Sequence, residues 1–248
     1  PALYTGKRMA GYYREITLLD QQLGRLRRTL KHMGMAKNTI LWYTSDNGGL
    51  NKDTSGGRMK KGSIYEGGLR VPGIIEWPAG KLRGRSAIPV NACDIYPTLL
   101  SMVSIKLENP QPLDGIDVSA VFSGGLPRRP RPMGFWHGFQ GGQSTWSDRI
   151  LKAIMEKQQA GAATPYNALR MKKDIDEYPQ FPLDTVTGHA AWTDWPWKLH
   201  RIAGKNPLTF ELYNLEDDPM EESNLADKPE QQKRLKSMKS ELKAWSES

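Results

Sequence analysis

Three features are scarce or missing in this 248-residue sequence. Its single cysteine, Cys93, allows no disulfide within the chain, and cysteine usage therefore indicates no redox compartment. It has no apolar run of roughly 18 residues, so no segment is predicted to span a membrane. A signal peptide is also missing. Because the first residue is Pro1 and not methionine, we expect the chain to have been cut or processed, and the missing signal says nothing about localisation.

The charge is unbalanced, with 35 lysines and arginines against 27 acidic residues and a formal net charge of +8. The cations are spread along the whole chain and do not form one basic block. This distribution argues against a nucleic-acid partner. It favours a general attraction for anionic substrates.

The first hundred residues have the element order of an α/β fold. A helix ending at Gly34 is predicted by apolar residues at alternating spacings of four and three, namely Tyr12, Ile16, Leu19, Leu23, Leu26, Leu30 and Met33. The apolar run from Thr39 to Ser45 does not alternate, which favours a strand covered on both faces, as in a parallel sheet. A second apolar run spans Val71 to Trp77. Asp94 is predicted to cap a following helix with Pro97 in its first turn.

The rest of the chain predicts a different kind of structure. Residues 140–188 are polar and irregular, with a helix predicted from about Trp146 to Gln159. A strand at 197–202 and its hairpin partner at 209–215 precede a final helix whose apolar side is Leu235, Met238, Leu242 and Trp245. We therefore predict an α/β fold followed by a small α+β subdomain made of an antiparallel sheet and a helix.

Two polar segments could carry chemistry. Asp46 and Asn47 follow the first strand, and their oxygens suit Ca²⁺ or Mg²⁺ better than zinc. On the Asp-Asn-Gly-Gly tetrapeptide alone, a plain turn is the favoured interpretation. The second segment, Lys61 to Pro72, pairs a lysine ammonium suited to an oxyanion with glycines that admit close backbone approach. Taken alone, it reads equally well as a flexible basic surface loop.

Together these segments resemble the formylglycine-dependent, arylsulfatase-like sulfatases of the alkaline phosphatase superfamily. The family has a strand ending in Thr-Ser-Asp-Asn-Gly, as at 44–48 here. It also has Lys-Gly-x-x-x-Glu-Gly-Gly-x-Arg-x-Pro, which 61–72 match at every fixed position. The segments 94–100 and 211–219 are similar to a helix and a carboxy-terminal signature of the family. The resemblance covers most of the chain and leaves out 135–190.

The resemblance implies roles for individual residues. Asp46 and Asn47 would ligate an active-site Ca²⁺, and Asn47 would also face the sulfate. Lys61 would be the catalytic residue that contacts a sulfate oxygen and stabilises its charge. Glu66, Gly67, Gly68 and Arg70 would shape the loop. Phosphonate-ester relatives commonly have Asp-His where this chain has Asp46-Asn47, so the asparagine favours calcium-using sulfatases.

Other parts of a sulfatase site are not in this chain. The family makes its nucleophile by oxidising the first residue of a Cys/Ser-x-Pro-x-Arg motif to formylglycine, and Cys93 lacks the proline and arginine. We interpret Cys93 as a small buried residue beside a helix start. Formylglycine and further metal ligands are expected upstream, because two ligands are too few for calcium. The chain alone is therefore predicted to be inactive and to need the amino-terminal half of the same protein.

Four histidines remain, of which His32 is predicted to be solvated and His200 structural. His137 and His189 are predicted to lie in loops that shape the substrate pocket, and His189 is the better candidate for binding a sugar.

The predicted organisation has three parts. Residues 1–134 form part of an alkaline-phosphatase-like sheet with flanking helices. Residues 135–190 form a variable insertion, and 191–248 form the small subdomain. The predicted substrate is a sulfated small molecule or sulfated glycan. Export to a periplasm, a lysosome or the cell exterior is expected from the resemblance alone. A phosphonate or phosphodiester hydrolase and a noncatalytic interaction module remain alternatives.

Overall fold

The computed structural model describes residues 10–80, 82, 84–107, 113–138, 146–161, 188–203 and 207–247. The chain divides into two compact units, one made of 1–46 and 71–129 and the other of 47–70 and 130–248. Of the helices within these described ranges, none has the length and apolar character needed to cross a bilayer. The domain boundaries at 134 and 190 stay a prediction, because much of 135–190 lies outside the described residues.

Helix α1 (Ala10–His32) in the first unit confirms the predicted opening helix. At its end Gly34 has a φ of +70°. The Gly34 amide donates to the Lys31 carbonyl at 3.1 Å, and the Met35 amide donates to the Leu30 carbonyl at 2.9 Å. This pair of bonds is the Schellman termination, for which glycine is the favoured residue. No residue of α1 is buried, and most of its apolar stripe is exposed.

Strand β1 (Leu41–Thr44) pairs with β2 (Gly73–Glu76) in an antiparallel two-stranded sheet. The predicted parallel sheet is wrong for the described residues of this unit, and neither strand contains a buried residue. The physical reason is that an unbroken apolar run indicates covered faces but does not specify the direction of the neighbouring strand. Arg27 ties α1 to this sheet through two hydrogen bonds to the carboxylate of Glu76, at 2.7 and 2.9 Å.

Three short helices complete this part of the chain. Helix α2 (Glu66–Leu69) belongs to the second unit, and α3 (Ile95–Met102) and α4 (Ser119–Phe122) belong to the first. Pro97 lies in the first turn of α3, as predicted. The ring of Phe122 packs edge-on against Trp42 of β1, with the ring centroids 5.5 Å apart.

Asp94 precedes α3 but does not cap it, so the predicted cap is wrong. Its buried carboxylate receives two hydrogen bonds from the Arg129 guanidinium, at 2.5 and 2.9 Å. The same carboxylate accepts the amide N–H groups of Asn91 at 2.7 Å and Ile116 at 2.9 Å. Because both oxygens are engaged by Arg129 and by backbone outside the helix, Asp94 organises three chain segments of the first unit.

The second unit is built on a four-stranded antiparallel sheet in the order β3-β4-β5-β6. The strands are β3 (Met133–His137), β4 (Gly188–Asp194), β5 (Trp197–Ala203) and β6 (Thr209–Asn214). The predicted hairpin is confirmed as β5 and β6, whereas β3 and β4 were not predicted. Two predicted helices are also confirmed, as α5 (Trp146–Gln159) and α6 (Gln232–Ser246).

Successive side chains of a strand point to opposite faces, so the sheet has two distinct sides. One side is apolar and packs against α6. Its core is formed by Ala190, Trp192, Leu199 and Leu212 together with Ala226, Leu235, Met238 and Leu242. The opposite side carries polar and ionisable side chains, including Lys198 and His200. The core therefore lies on one side of the sheet and leaves the other for the candidate site.

We predict that Arg129→Met destabilises the first unit by about 3–5 kcal/mol, because it leaves the Asp94 carboxylate buried without a cation. Urea unfolding of the chain measures the change. Arg128→Met is the matched control, since Arg128 is the exposed neighbour, and it should change the free energy of unfolding by less than about 0.5 kcal/mol. Equal unfolding midpoints for the two variants would contradict this role of Arg129.

Candidate functional site

The backbone brings the Gly-rich segment after β1 next to the Lys61 segment. The amide of Gly48 donates to the carbonyl of Gly68 at 2.8 Å, and the amide of Lys61 donates to the carbonyl of Gly49 at 2.9 Å. A Cβ atom on Gly48 would lie 1.9 Å from the Gly67 carbonyl oxygen. Glycine is therefore required there by close packing of backbone on backbone.

Of the predicted site residues, Asn47 and Lys61 belong to the second unit, whereas Asp46 belongs to the first. Asp46 and Lys61 are exposed and Asn47 is half-buried. The Lys61 amide is hydrogen-bonded to the carbonyl of Gly49, two residues after Asn47. Lys61 and Asn47 therefore lie on adjoining backbone segments. In the part of the chain that the structure describes, no three His, Cys, Asp or Glu residues group so as to hold a metal ion. The calcium site at Asp46 and Asn47 stays a prediction.

A buried ion cluster joins the segment 58–70, called the loop below, to the polar side of the sheet. Lys198 on β5 is fully buried, and its Nζ lies 2.8 Å from Oε1 of Glu66 and 3.0 Å from Oε1 of Glu221. Glu221 is also fully buried and accepts the backbone N–H of Glu66 at 2.6 Å. One lysine and one glutamate thus hold both the side chain and the backbone of Glu66, which begins helix α2.

Glu221 has an unusual backbone conformation for a residue with a side chain, with a φ of +53°. Left-handed geometry costs roughly 1 kcal/mol for such a residue and persists where the surroundings over-determine it. Besides its contacts to Lys198 and Glu66, the Glu221 carboxylate lies 2.7 Å from Nε2 of His200, and its carbonyl accepts a hydrogen bond from Arg58 at 3.2 Å. These polar contacts offset the strain.

A second cluster holds the beginning of the loop. Oε2 of Glu211 accepts hydrogen bonds from the hydroxyls of Tyr65 at 2.8 Å and Tyr213 at 2.9 Å, and Nη1 of Arg58 lies 3.2 Å from it. The guanidinium carbon of Arg58 also lies 4.2 Å from the centre of the Tyr65 ring. Burial, and then the hydrogen bond to Glu211, raise the pKa of both tyrosines well above the usual value, so both hydroxyls remain donors at neutral pH.

The two histidines predicted to lie in loops are both in strands, so that prediction is wrong. His137 on β3 lies directly opposite His189 on β4. These short strands are bounded by Gly138 and Gly188, and the small alanines that follow His189 hide the alternation that would have indicated a strand. His200 is buried, and the prediction that it is structural is consistent with its place in the sheet.

His189 and His200 form a close pair. Nε2 of His189 lies 2.8 Å from Nδ1 of His200, and both rings pack against Tyr65, at centroid distances of 4.8 and 4.5 Å. Burial lowers the pKa of His189 to about 4, with the positive charge of a protonated His200 as the next cause. Burial, followed by the charge of Lys198, holds the pKa of His200 well below its usual value. Both rings are therefore neutral at pH 7.

Cys93 is exposed, which corrects its interpretation as a buried residue. It lies beside the start of α3 as expected, in the turn Ala92–Asp94, where its amide donates to the side chain of Asn91 at 3.2 Å. Its side chain stays outside because the buried position in this turn is occupied by the carboxylate of Asp94.

Sequence reasoning missed the residues that hold the loop, namely Arg58, Lys198, Glu211 and Glu221. Lys198, Glu211 and Glu221 lie 132, 146 and 155 positions from the motif residues that they contact. Arg58 lies just before the motif, and all four residues are charged, which favours the interpretation of solvated surface residues. The available signal was the alternation in Trp197 to Ile202, which placed Lys198 and His200 on one side of a strand.

Comparison with known proteins supplies the family. The model of the family described as Sulfatase matches residues 4–105. A sulfatase of Formosa agariphila is 31% identical over 257 aligned residues, which cover 95% of this chain and 39% of that protein. Mouse arylsulfatase J is 28% identical and is matched over 87% of this chain and 36% of its own length. The chain thus spans about two-fifths of the length of these curated relatives.

Solved structures supply the fold. The phosphonate monoester hydrolase of Agrobacterium radiobacter matches 96% of this chain and 41% of its own, with a TM-score of 0.62 and 24% identity. The protein BT4656, solved in complex with its substrate D-glucosamine-2-N,6-O-disulfate, matches 96% of this chain and 40% of its own, with a TM-score of 0.62 and 19% identity.

The chain therefore has the fold of the matched part of these two proteins, and the mixed α/β architecture is confirmed to that extent. The sequence matches narrow the class further. Residues 4–105 match the sulfatase family, and most of the chain is similar in sequence to curated sulfatases. This confirms the resemblance inferred from the motifs at 44–48 and 61–72.

We predict that Lys198→Met destabilises the chain by about 3–5 kcal/mol, because it leaves the carboxylates of Glu66 and Glu221 facing each other without their shared cation. Urea unfolding followed by circular dichroism measures the loss. Lys228→Met is the control, since Lys228 is an exposed lysine of the same unit. Unfolding of Lys198→Met at the wild-type urea concentration would show that this ion cluster does not stabilise the fold.

We also predict that stability falls on acidification. The folded-state pKa of His189 is about 4 and lies below the ordinary 6.5, so the unfolded chain binds more protons between these values. The free energy of unfolding is therefore highest above pH 6.5 and falls towards pH 4. With the shift discounted for the partial exposure of the ring to solvent, the loss from His189 is on the order of 1 kcal/mol between pH 7 and pH 5.

Urea titrations at pH 7 and pH 5 measure this dependence. His189→Gln should make it shallower by about that amount, whereas His137→Gln, which replaces the exposed histidine across the strand pair, should leave it unchanged. An identical slope in wild type and His189→Gln would show that His189 is not held neutral by the fold.

Proposed function

We propose that this chain is the carboxy-terminal part of a sulfatase that hydrolyses sulfate monoesters to an alcohol and sulfate. The match to the sulfatase family and the similarity to a curated sulfatase support the reaction class. The hydrogen bond of 2.9 Å from the Lys61 amide to the Gly49 carbonyl is the observation that carries the proposal for the site. It joins the two segments whose residues the family resemblance assigns to sulfate and metal.

The proposed roles follow from the chemistry of the side chains. Lys61 is exposed at the loop, and its ammonium would bind a sulfate oxygen and stabilise the charge that develops there. Asn47 would donate to, or orient, the same sulfate through its amide. The nucleophile would come from sequence outside this chain, where the family carries formylglycine. We therefore propose that the chain alone has no sulfatase activity.

Asp46 and Asn47 offer the type of ligand that calcium prefers, but these two residues are too few to complete its coordination shell. Their side chains offer hard oxygen ligands, which calcium prefers, yet calcium takes roughly six to eight oxygens. We propose that these two residues supply part of the calcium site and that segments outside this chain supply the rest. When bound, calcium would contribute positive charge next to the anionic ester. Lys61 would contribute a second positive charge to the binding of the same sulfate.

The exposed apolar surface of the first unit supports a polypeptide partner. Ile16 and Leu19 on α1 are each 47% exposed, and Ile74 on β2 is 60% exposed. Apolar residues regularly spaced on one helix are normally covered in a folded protein. Because the relatives are about two and a half times as long as their matched part, we propose that an amino-terminal half of the same protein covers this surface.

For the substrate we propose a sulfated small molecule or a sulfated glycan. BT4656, which shares the fold, was solved with a sulfated glucosamine as its substrate. The phosphonate monoester hydrolase has the same TM-score and supports the competing activity on phosphonate esters. The asparagine at 47 favours the sulfatase. Export to a periplasm, a lysosome or the cell exterior remains a prediction from the resemblance.

We predict that the protein expressed from the complete coding sequence hydrolyses 4-nitrophenyl sulfate and that Lys61→Ala lowers kcat by about 100- to 1000-fold. Initial rates at saturating calcium measure the effect. Lys60→Ala is the matched control, because Lys60 is the adjacent exposed lysine outside the motif. Asp46→Ala should cause a comparable loss that added calcium reduces only in part.

The same assay separates the alternatives. Faster turnover of 4-nitrophenyl phenylphosphonate than of the sulfate would favour the phosphonate hydrolase. Turnover of neither ester would favour the noncatalytic module. Appreciable turnover of aryl sulfate by the 248-residue chain alone would contradict the proposal that its site is incomplete.

A further inference from the structure

The segment 211–225, called the signature below, comprises the end of strand β6 and the turn that follows it. Hydrogen bonds within the signature fold this turn. The Glu221 amide donates to the Asp218 carbonyl at 3.1 Å, and Oδ1 of Asn224 accepts the amide N–H of Leu212 on β6 at 2.9 Å. These bonds tie the turn to the sheet and fix the place of Glu221 within it.

The signature binds the side chain of Arg58, three residues before Lys61, and both segments belong to the second unit. Nη1 of Arg58 donates to the hydroxyl of Tyr213 at 2.8 Å and to the carbonyl of Glu221 at 3.2 Å, and it lies 3.2 Å from Oε2 of Glu211. A carboxylate, a hydroxyl and a carbonyl together suit the directed N–H groups of a guanidinium. These three groups therefore form a receptor for the Arg58 side chain.

The backbone that leads from Arg58 to Lys61 is also held. The carbonyl of Arg58 accepts the Gly67 amide at 2.8 Å, and that of Met59 accepts the Ser55 hydroxyl at 2.9 Å. Met59 has a φ of +66°, a left-handed conformation that persists in a residue with a side chain only where its surroundings impose it. Three peptide bonds thus connect the bound Arg58 to the Cα atom of Lys61, so a displacement of Arg58 is passed on to Lys61.

Lys61 depends on this backbone for its position because its side chain is exposed. An ammonium at the end of a flexible four-carbon stem is not oriented by packing when the stem lies in solvent. A cation stabilises a developing charge most when it is placed before the reaction, since reorganisation at that moment costs free energy. The placement of the Lys61 ammonium therefore starts from the backbone that Arg58 anchors.

We propose that Arg58 is a positioning residue for Lys61 and that the signature is its receptor, so that the carboxy-terminal sheet takes part in catalysis through the placement of this lysine. The inference rests on the proposed sulfatase function. It goes beyond that function because it gives Arg58, Glu211 and Tyr213 a role in the reaction, exerted through Lys61 and not on the substrate.

A double-mutant cycle separates positioning from general stabilisation. Arg58→Gln removes the guanidinium and keeps a polar side chain, and it is made with and without Lys61→Ala in the protein from the complete coding sequence. We measure kcat on 4-nitrophenyl sulfate at saturating calcium, and circular dichroism at the assay temperature establishes that each variant is folded. Arg234→Gln is the matched control, since its guanidinium carbon also lies over a ring, 4.1 Å from the centre of Trp197, but on helix α6.

Arg58→Gln should lower kcat by about 10- to 100-fold, because a misplacement of about 1 Å suffices for such a loss. In the Lys61→Ala background the same change should alter kcat by less than about twofold, because the residue that it positions is absent. Arg234→Gln should stay within about twofold of wild type in both backgrounds. Equal losses from Arg58→Gln in the two backgrounds would show a structural effect alone and would overturn the inference, as would an unchanged kcat with Lys61 present.

Tyr213→Phe tests the receptor with a smaller change if Arg58→Gln does not fold. It keeps the ring and removes the hydroxyl that accepts from Arg58. The variant should lower kcat by about three- to tenfold with Lys61 present and should have no effect in the Lys61→Ala background. The same kcat ratio in both backgrounds would overturn the inference while leaving the sulfatase function intact. Wild type that cleaves no sulfate ester, or Lys61→Ala at the wild-type rate, would refute the proposed function and this inference with it.

Discussion

The contact of Lys198 with Glu66 and Glu221 is the interaction on which the second unit depends. Lys198 and Glu221 are fully buried, and a buried ion pair is held in place because removing one partner leaves the other charged and desolvated. Glu66 begins α2, within the segment that also contains Lys61. The position of the family motif is therefore set by Lys198 of β5 and by Glu221, which is 155 positions from Glu66. The loop sequence alone does not determine it.

The two sides of the four-stranded sheet have different roles. The apolar side stabilises the fold, and the polar side positions the loop. The apolar side packs against α6 and supplies hydrophobic burial, which depends little on direction. The polar side makes directional contacts, in which Glu211 and Glu221 each accept several donors at once. Hydrogen bonds of this kind specify one arrangement of the loop, because an alternative arrangement would leave buried polar groups without partners.

Much of the fold could be predicted from the sequence, and the failures share a cause. Helices α1 and α6 and the β5–β6 hairpin were predicted correctly because their apolar periodicity is a local signal. Strands β3 and β4 were missed because glycine and alanine weaken that signal. Asp94 was assigned to a helix cap because its true partner, Arg129, lies 35 positions away. The residues that hold the loop were missed for the same reason, since long-range ionic partners leave no periodic pattern.

The candidate site is inferred from two kinds of observation, the sequence motifs and the backbone contacts between them. The motifs indicate which side chains act on a sulfate, and the backbone bond between Lys61 and Gly49 supports their proximity. The most direct measurement is a crystal structure of the protein from the complete coding sequence, grown with calcium and sulfate. The account predicts calcium within about 2.3–2.6 Å of oxygens from Asp46 and Asn47, and a sulfate bridging that ion and the Lys61 ammonium. Calcium bound elsewhere, or a Lys61 ammonium pointing away from the sulfate, would contradict it.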